Sequence, residues 1–151
     1  MKFSTRTIYG LKALLVLAAR YGEGSLSVSQ IAKKEGISVA YLEQILNSLK
    51  KKGLVKSVRG PQGGYVLQQK PSEISLETLF ASLDGMSFLK TDVLPPSVDA
   101  DEVAIGNFIF WSKLHSSIQK GLSEVTIKDL IDEARRVKKS KPRSSHFNFH
   151  I

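Results

Sequence analysis

The sequence predicts a mainly α-helical fold with one small β-hairpin and a long C-terminal helix. Three observations predict it. Apolar residues recur at helical spacing in six segments, most of them opened by Ser, Thr or Asp. One Gly- and Pro-dense stretch, Arg59-Gly60-Pro61-Gln62-Gly63-Gly64, separates two short apolar runs. A length of 151 residues suits one domain, or one domain with an appendage.

Ser4 or Thr5 caps the first predicted helix, with Ile8, Leu11, Leu14, Leu15 and Ala18 on one stripe. Gly22, Gly24 and Ser25 break it. Ser27-Val28-Ser29-Gln30 has the form of a capping box, in which a hydroxyl and a Gln three residues on satisfy each other's backbone N–H groups. The short helix it opens carries Ile31 and Ala32 and stops at Gly36, a residue suited to a left-handed helix end. Ser38 caps a third helix from Val39 to about Lys52, with Leu42, Ile45, Leu46 and Leu49 on its apolar face.

Leu54–Val58 and Tyr65–Leu67 are the predicted strands of the hairpin. Ser75 caps a fourth helix with Leu76, Leu79, Phe80 and Leu83, closed by Asp84-Gly85. A loop follows, then a long amphipathic helix from about Asp101 to Lys120. Its stripe is Ala104, Phe108, Trp111, His115 and Ile118, widened by Val103, Ile105 and Leu114. Thr126 caps the last helix, and the tail from Lys138 is polar and basic.

Helix, short helix, glycine turn, helix, hairpin is the order of a winged helix-turn-helix. The fold class is therefore mainly α with a β-hairpin wing, plus a long C-terminal helix. The expected boundaries are 1–85 for the winged domain, 86–101 for a loop, 102–137 for the two C-terminal helices and 138–151 for the tail.

Charge sharpens the reading. The chain carries 22 Lys+Arg against 14 Asp+Glu, a net charge of +8. Residues 1–70 hold a net +9, residues 71–133 a net −7 and residues 134–151 a net +6. A basic first half suits a polyanion such as double-stranded DNA. There is no Cys, so disulfides and thiolate metal sites are excluded. No run nears the roughly 18 apolar residues that span a bilayer, so no membrane partner is expected and the chain reads as cytoplasmic.

The third helix has two unlike faces. Turning its leucines and isoleucine inward leaves Ser38, Ala40, Tyr41, Glu43, Gln44, Asn47 and Lys51 outside. In the major groove a Glu accepts from cytosine, a Gln pairs with adenine and Lys51 suits a phosphate. The plainer alternative is a solvated helix face. Arg59 precedes a narrow, glycine-shaped tip, which suits a minor groove; the plainer alternative is a tight turn with an exposed Arg.

Ser38-Val39-Ala40-Tyr41-Leu42-Glu43-Gln44-Ile45-Leu46, Gly53-Leu54-Val55 and Arg59-Gly60-Pro61-Gln62-Gly63-Gly64-Tyr65 together resemble the Rrf-type winged-helix transcription regulators. The resemblance begins with Met1-Lys2-Phe3-Ser4 and Tyr9-Gly10, is strong to about residue 85 and is architectural beyond. It implies a homodimeric repressor on a palindromic operator, with one recognition helix per half-site. It implies major-groove and phosphate contacts from Ser38, Ala40, Tyr41, Glu43 and Gln44, and a minor-groove contact from Arg59, with Gly60 shaping the tip. It further implies dimerisation through the long helix, here Phe108, Trp111, His115 and Ile118.

One departure matters. Cluster-binding members use three Cys and a His between the fourth helix and the long one. Residues 86–107 contain neither. The expectation is a regulator without an iron–sulfur cluster, cofactor or metal. A regulatory protein or small-molecule effector of unknown identity is the remaining kind of input. His146 and His150 are spaced for one metal on a helix but lie in the polar tail without a third ligand, so they read as solvated. No nucleophile–base constellation is present, and no enzyme is expected. The alternative function is a protein-interaction module on a winged-helix scaffold, acting through a partner protein.

Overall fold

The computed structural model of the chain describes residues 3–86 and 94–140. The pair His146 and His150 lies outside the described residues. The elements are α1 (Thr5–Ala19), α2 (Val28–Glu35), α3 (Val39–Lys51), β1 (Val55–Val58), β2 (Gly64–Leu67), α4 (Leu76–Asp84), α5 (Glu102–Glu124) and α6 (Ile127–Ser140), with a 3-10 turn at Pro71–Glu73 before α4.

The caps fall where the hydroxyls are. Ser4, Ser27, Ser38 and Ser75 each accept an N–H from three residues ahead. At Ser27 the capping box is complete, with Gln30 Oε1 accepting the Ser27 N–H at 2.8 Å. Gly36 ends α2 in the left-handed region, as a residue without Cβ can do at little cost.

The core gathers one face from each helix. Leu14, Ile31, Leu42, Ile45, Leu46, Leu49, Leu54, Ile74, Leu79 and Ile127 are fully buried within it. Burying each such side chain stabilises by roughly 1.5–3 kcal/mol before chain entropy is counted. α1 runs through the middle of this body. Gly10 packs directly under α4: a Cβ there would lie 2.2 Å from Leu83 Cδ1, and the end of that side chain would have to move.

Some element ends and one burial differ from the sequence expectation, and the first strand begins at Val55, one residue late. Ile8, placed on the apolar stripe of α1, is 46% exposed. The second strand begins at Gly64, one residue early. α5 runs four residues past Lys120, to Glu124. α6 continues to Ser140 and so takes in the first residues of the expected tail.

α6 does not trail away. Ile127 is fully buried, Ile131 packs on the core, and Arg135 Nη2 donates to the Ala19 carbonyl at 3.3 Å. Leu76 N–H donates to the Val125 carbonyl and Ile127 N–H to the Ile74 carbonyl, both at 2.9 Å, which pins the start of α6 to the start of α4. Among the described residues, no helix is long and apolar enough to cross a membrane.

Candidate nucleic-acid interface

α3 turns about 100° per residue, so its buried residues define its outer face. Leu42, Ile45, Leu46 and Leu49 have no exposed surface. Directly opposite stand Ala40, Gln44, Asn47 and Lys51, all exposed, with Glu43 exposed beside them. The structure thus gathers Ala40, Glu43, Gln44 and Lys51 on one open face.

Ser38 and Tyr41 sit differently. Ser38 is exposed at the head of the helix and its Oγ accepts the Tyr41 N–H at 3.3 Å, which leaves its own O–H to donate outward. Tyr41 is half-buried, against the expectation that it stands outside. Its ring meets Tyr9 edge-on at 6.0 Å, and Lys12 Nζ lies 5.8 Å from the Tyr9 ring centre. The cause is rotational: position 41 faces the α1 flank of α3, not the outer face.

The hairpin is antiparallel, with Val55 opposite Leu67 and Val58 opposite Gly64. Its tip closes through a hydrogen bond from the Gly63 N–H to the Gly60 carbonyl at 2.8 Å, with Gly60 at φ +114°. Arg59 is exposed where the tip begins. The hairpin also stands against α3. Lys50 Nζ donates to Ser57 Oγ at 2.9 Å, and the Tyr65 hydroxyl to Asn47 Oδ1 at 3.5 Å.

The wing has an anchor that the sequence reading missed. Leu26 bridges to Tyr65 as a one-residue third strand. Beside it, Ser25 Oγ donates to the Gln62 carbonyl at 2.5 Å. The signal was present as a buried apolar residue set between polar ones, Ser25-Leu26-Ser27-Val28, but one residue is too short to read as a strand.

The electrostatics favour an anion. Lys50, Lys51, Lys52, Lys56 and Arg59 are exposed along the end of α3 and the wing. Among the described residues none of them forms an ion pair; the pairs lie elsewhere, as in Lys12–Glu35 and Arg20–Glu23. Five unneutralised cations beside an open helix face are suited to phosphates.

α5 is 23 residues long, about 34 Å at 1.5 Å per residue, and none of its residues is buried. Its second half touches the body, where Gln119 Nε2 donates to Glu77 Oε1 at 2.8 Å and Leu122 packs on the core. Phe108, His115 and Ile118 are half-buried, and Trp111 is 37% exposed. A neighbouring stripe is more open, with Val103 79%, Phe110 57% and Leu114 39% exposed. Among the described residues, nothing covers this side of α5.

A family model described as Rrf2, iron-dependent transcriptional regulator, matches residues 3–133. The HTH-type transcriptional regulator CymR of Bacillus subtilis is 35% identical over 130 residues, covering 86% of this chain and 89% of that protein. The solved structure of that CymR, titled the global cysteine regulator of B. subtilis, aligns with a TM-score of 0.73 at 32% identity, covering 88% of this chain and 98% of the other. The structure of IscR from T. potens aligns with a TM-score of 0.75 at 35% identity, covering 94% of each chain. The fold is therefore the winged helix-turn-helix that the element order predicts. The chain belongs to the Rrf2 family and is a DNA-binding transcriptional regulator, not an enzyme.

Proposed function

We propose that the protein is a repressor that binds a palindromic operator as a homodimer, with one α3 in each major groove and one wing in the adjacent minor groove. The observation that carries this is the exposed row Ala40, Gln44 and Lys51, with Glu43 beside it, next to a wing that presents Arg59. In this reading Gln44 pairs with adenine, Glu43 accepts from cytosine and Ala40 packs on a thymine methyl. Ser38 and Lys51 hold phosphates, Arg59 enters the minor groove, and Gly60 keeps the tip thin enough to follow it. Tyr41, half-buried on Tyr9, supports the helix and reaches the groove only from its flank.

The homodimer rests on α5. A helix with a solvent-facing apolar stripe and no buried residue leaves that stripe for a partner. A second copy meets it isologously, bringing Trp111, Ile118, Phe108 and His115 to the seam or its edge. The winged domain, 1–85, is then the reader, 86–101 the connection and 102–137 the pairing part. The site of action is the cytoplasm, where DNA is reached.

The family description carries iron, and a thiolate-held iron–sulfur cluster needs cysteine. The chain has no Cys, and residues 86–107 have no His. Among the described residues no group of three His, Cys, Asp or Glu converges. Thiolate ligation of an iron–sulfur cluster does not fit these residues.

Genome-wide binding-site selection with the purified protein tests the proposal. A two-fold symmetric motif should be enriched, and its affinity should fall steeply with salt if about 6–10 phosphates are contacted. Enrichment of no motif, alongside a stoichiometric protein partner, would overturn it in favour of an interaction module.

A further inference from the structure

We propose that Arg6 and Ser48 are positioning residues that set the recognition helix from α1, through the backbone of Gln44. The proposal rests on the reading that α3 enters DNA. Arg6 Nη2 donates to Ser48 Oγ. Ser48 Oγ in turn donates to the Gln44 carbonyl at 3.1 Å. A serine bonding back to the carbonyl four residues earlier adjusts the local path of a helix. A guanidinium on the serine oxygen makes that O–H a stronger donor and fixes its direction. The carbonyl so held belongs to the residue whose side chain stands in the middle of the outer row.

Arg6 is itself held in place. It sits in the first turn of α1 between Ser4 and Thr7, and both hydroxyls donate to Asp84 Oδ2 at the end of α4. Thr7 is 1% exposed while Ser4 is exposed and Asp84 half-buried, so this clasp sits at the edge of the core. The order of contact is therefore Asp84, the α1 first turn, Arg6, Ser48 and Gln44. Its last link is the residue that reads a base.

Arg6 and Ser48 lie at or near the surface, so their substitution leaves the core intact. The full chain is compared as wild type, Arg6→Ala, Ser48→Ala, the double variant and Arg6→Lys, on the selected operator and on random duplex at one salt concentration. Each single variant should lose about fivefold in operator affinity, the scale of one hydrogen bond, with random-duplex affinity and melting temperature unchanged. The double variant should be no worse than either single one, because one chain of contacts is cut at two points. Arg6→Lys should recover most of the loss.

Three results would overturn the proposal. If Arg6→Ala weakens operator and random duplex equally while Ser48→Ala is silent, Arg6 is a phosphate contact. If neither variant changes operator affinity while Gln44→Ala does, the DNA reading stands and the positioning role is lost. A wild-type chain with no operator preference would remove the DNA reading and this proposal with it.

Discussion

Leu26 and Tyr65 exchange both backbone hydrogen bonds. The Tyr65 N–H donates to the Leu26 carbonyl at 2.8 Å, and the Leu26 N–H to the Tyr65 carbonyl at 3.1 Å. Through this pair the wing is a part of the body and not a free hairpin. An isolated two-stranded hairpin is marginal in water, so the third strand is what gives the wing a fixed direction.

Gly64 shows how close that contact is. A Cβ at this position would lie 2.1 Å from the Leu26 carbonyl oxygen and 2.8 Å from the Ser27 nitrogen. Both are backbone atoms, which cannot swing aside. Gly64→Ala should therefore cost about 1–3 kcal/mol of stability. It should also weaken operator binding more than the lost stability explains. Chemical denaturation and a binding titration of the same sample check both.

Arg59 and Glu43 should separate by what they read. Arg59→Ala should cost roughly 1–3 kcal/mol on the operator if it lies in a groove. Glu43→Ala should relax discrimination at one base position more than it lowers affinity, because the lost group is an acceptor among phosphates. Competition with single-base operator variants measures both. Equal losses on operator and random duplex for both variants would sink the groove assignments.

Phe110 offers the cleanest probe of the α5 seam. It is 57% exposed, so a charge there costs the monomer little. Phe110→Glu should yield a monomer by sedimentation with an unchanged circular dichroism spectrum. Operator affinity should fall on the order of 100-fold, as two linked half-site contacts become one. A stable dimer in the variant would place the interface elsewhere.

Asp129 makes the start of α6 sensitive to acid. Its carboxylate accepts from the Thr126 hydroxyl at 2.6 Å and from the Thr126 N–H at 2.9 Å. These bonds, the hydroxyl's first, hold its pKa below the ordinary value of 3.8. A depressed carboxylate stabilises the folded chain above its unfolded pKa and loses that contribution as pH falls through the folded one. Thr126→Ala should lower the melting temperature at neutral pH. The gap from wild type should narrow as pH drops below about 3.8. A gap independent of pH would remove this carboxylate from the account.

The sequence alone determined the helices of the body, because their signals are local. A serine cap, a 3.6-residue apolar stripe and a terminal glycine lie within a few turns of one another, as in Ser38, Leu42 to Leu49 and Gly53. The outer row of α3 was legible for the same reason, since the buried face of a helix defines the opposite one. The missing cysteines likewise exclude thiolate ligation by composition alone. Tertiary structure decided what depends on distant neighbours. Tyr41 lies half-buried because α1 brings Tyr9 to it. Leu26 becomes a strand only beside Tyr65, 39 residues away in sequence. Arg6 finds Ser48, 42 residues on, only because α1 packs against α3. Periodicity records which face of an element is buried, whereas the partner that buries it is set by packing across the whole chain.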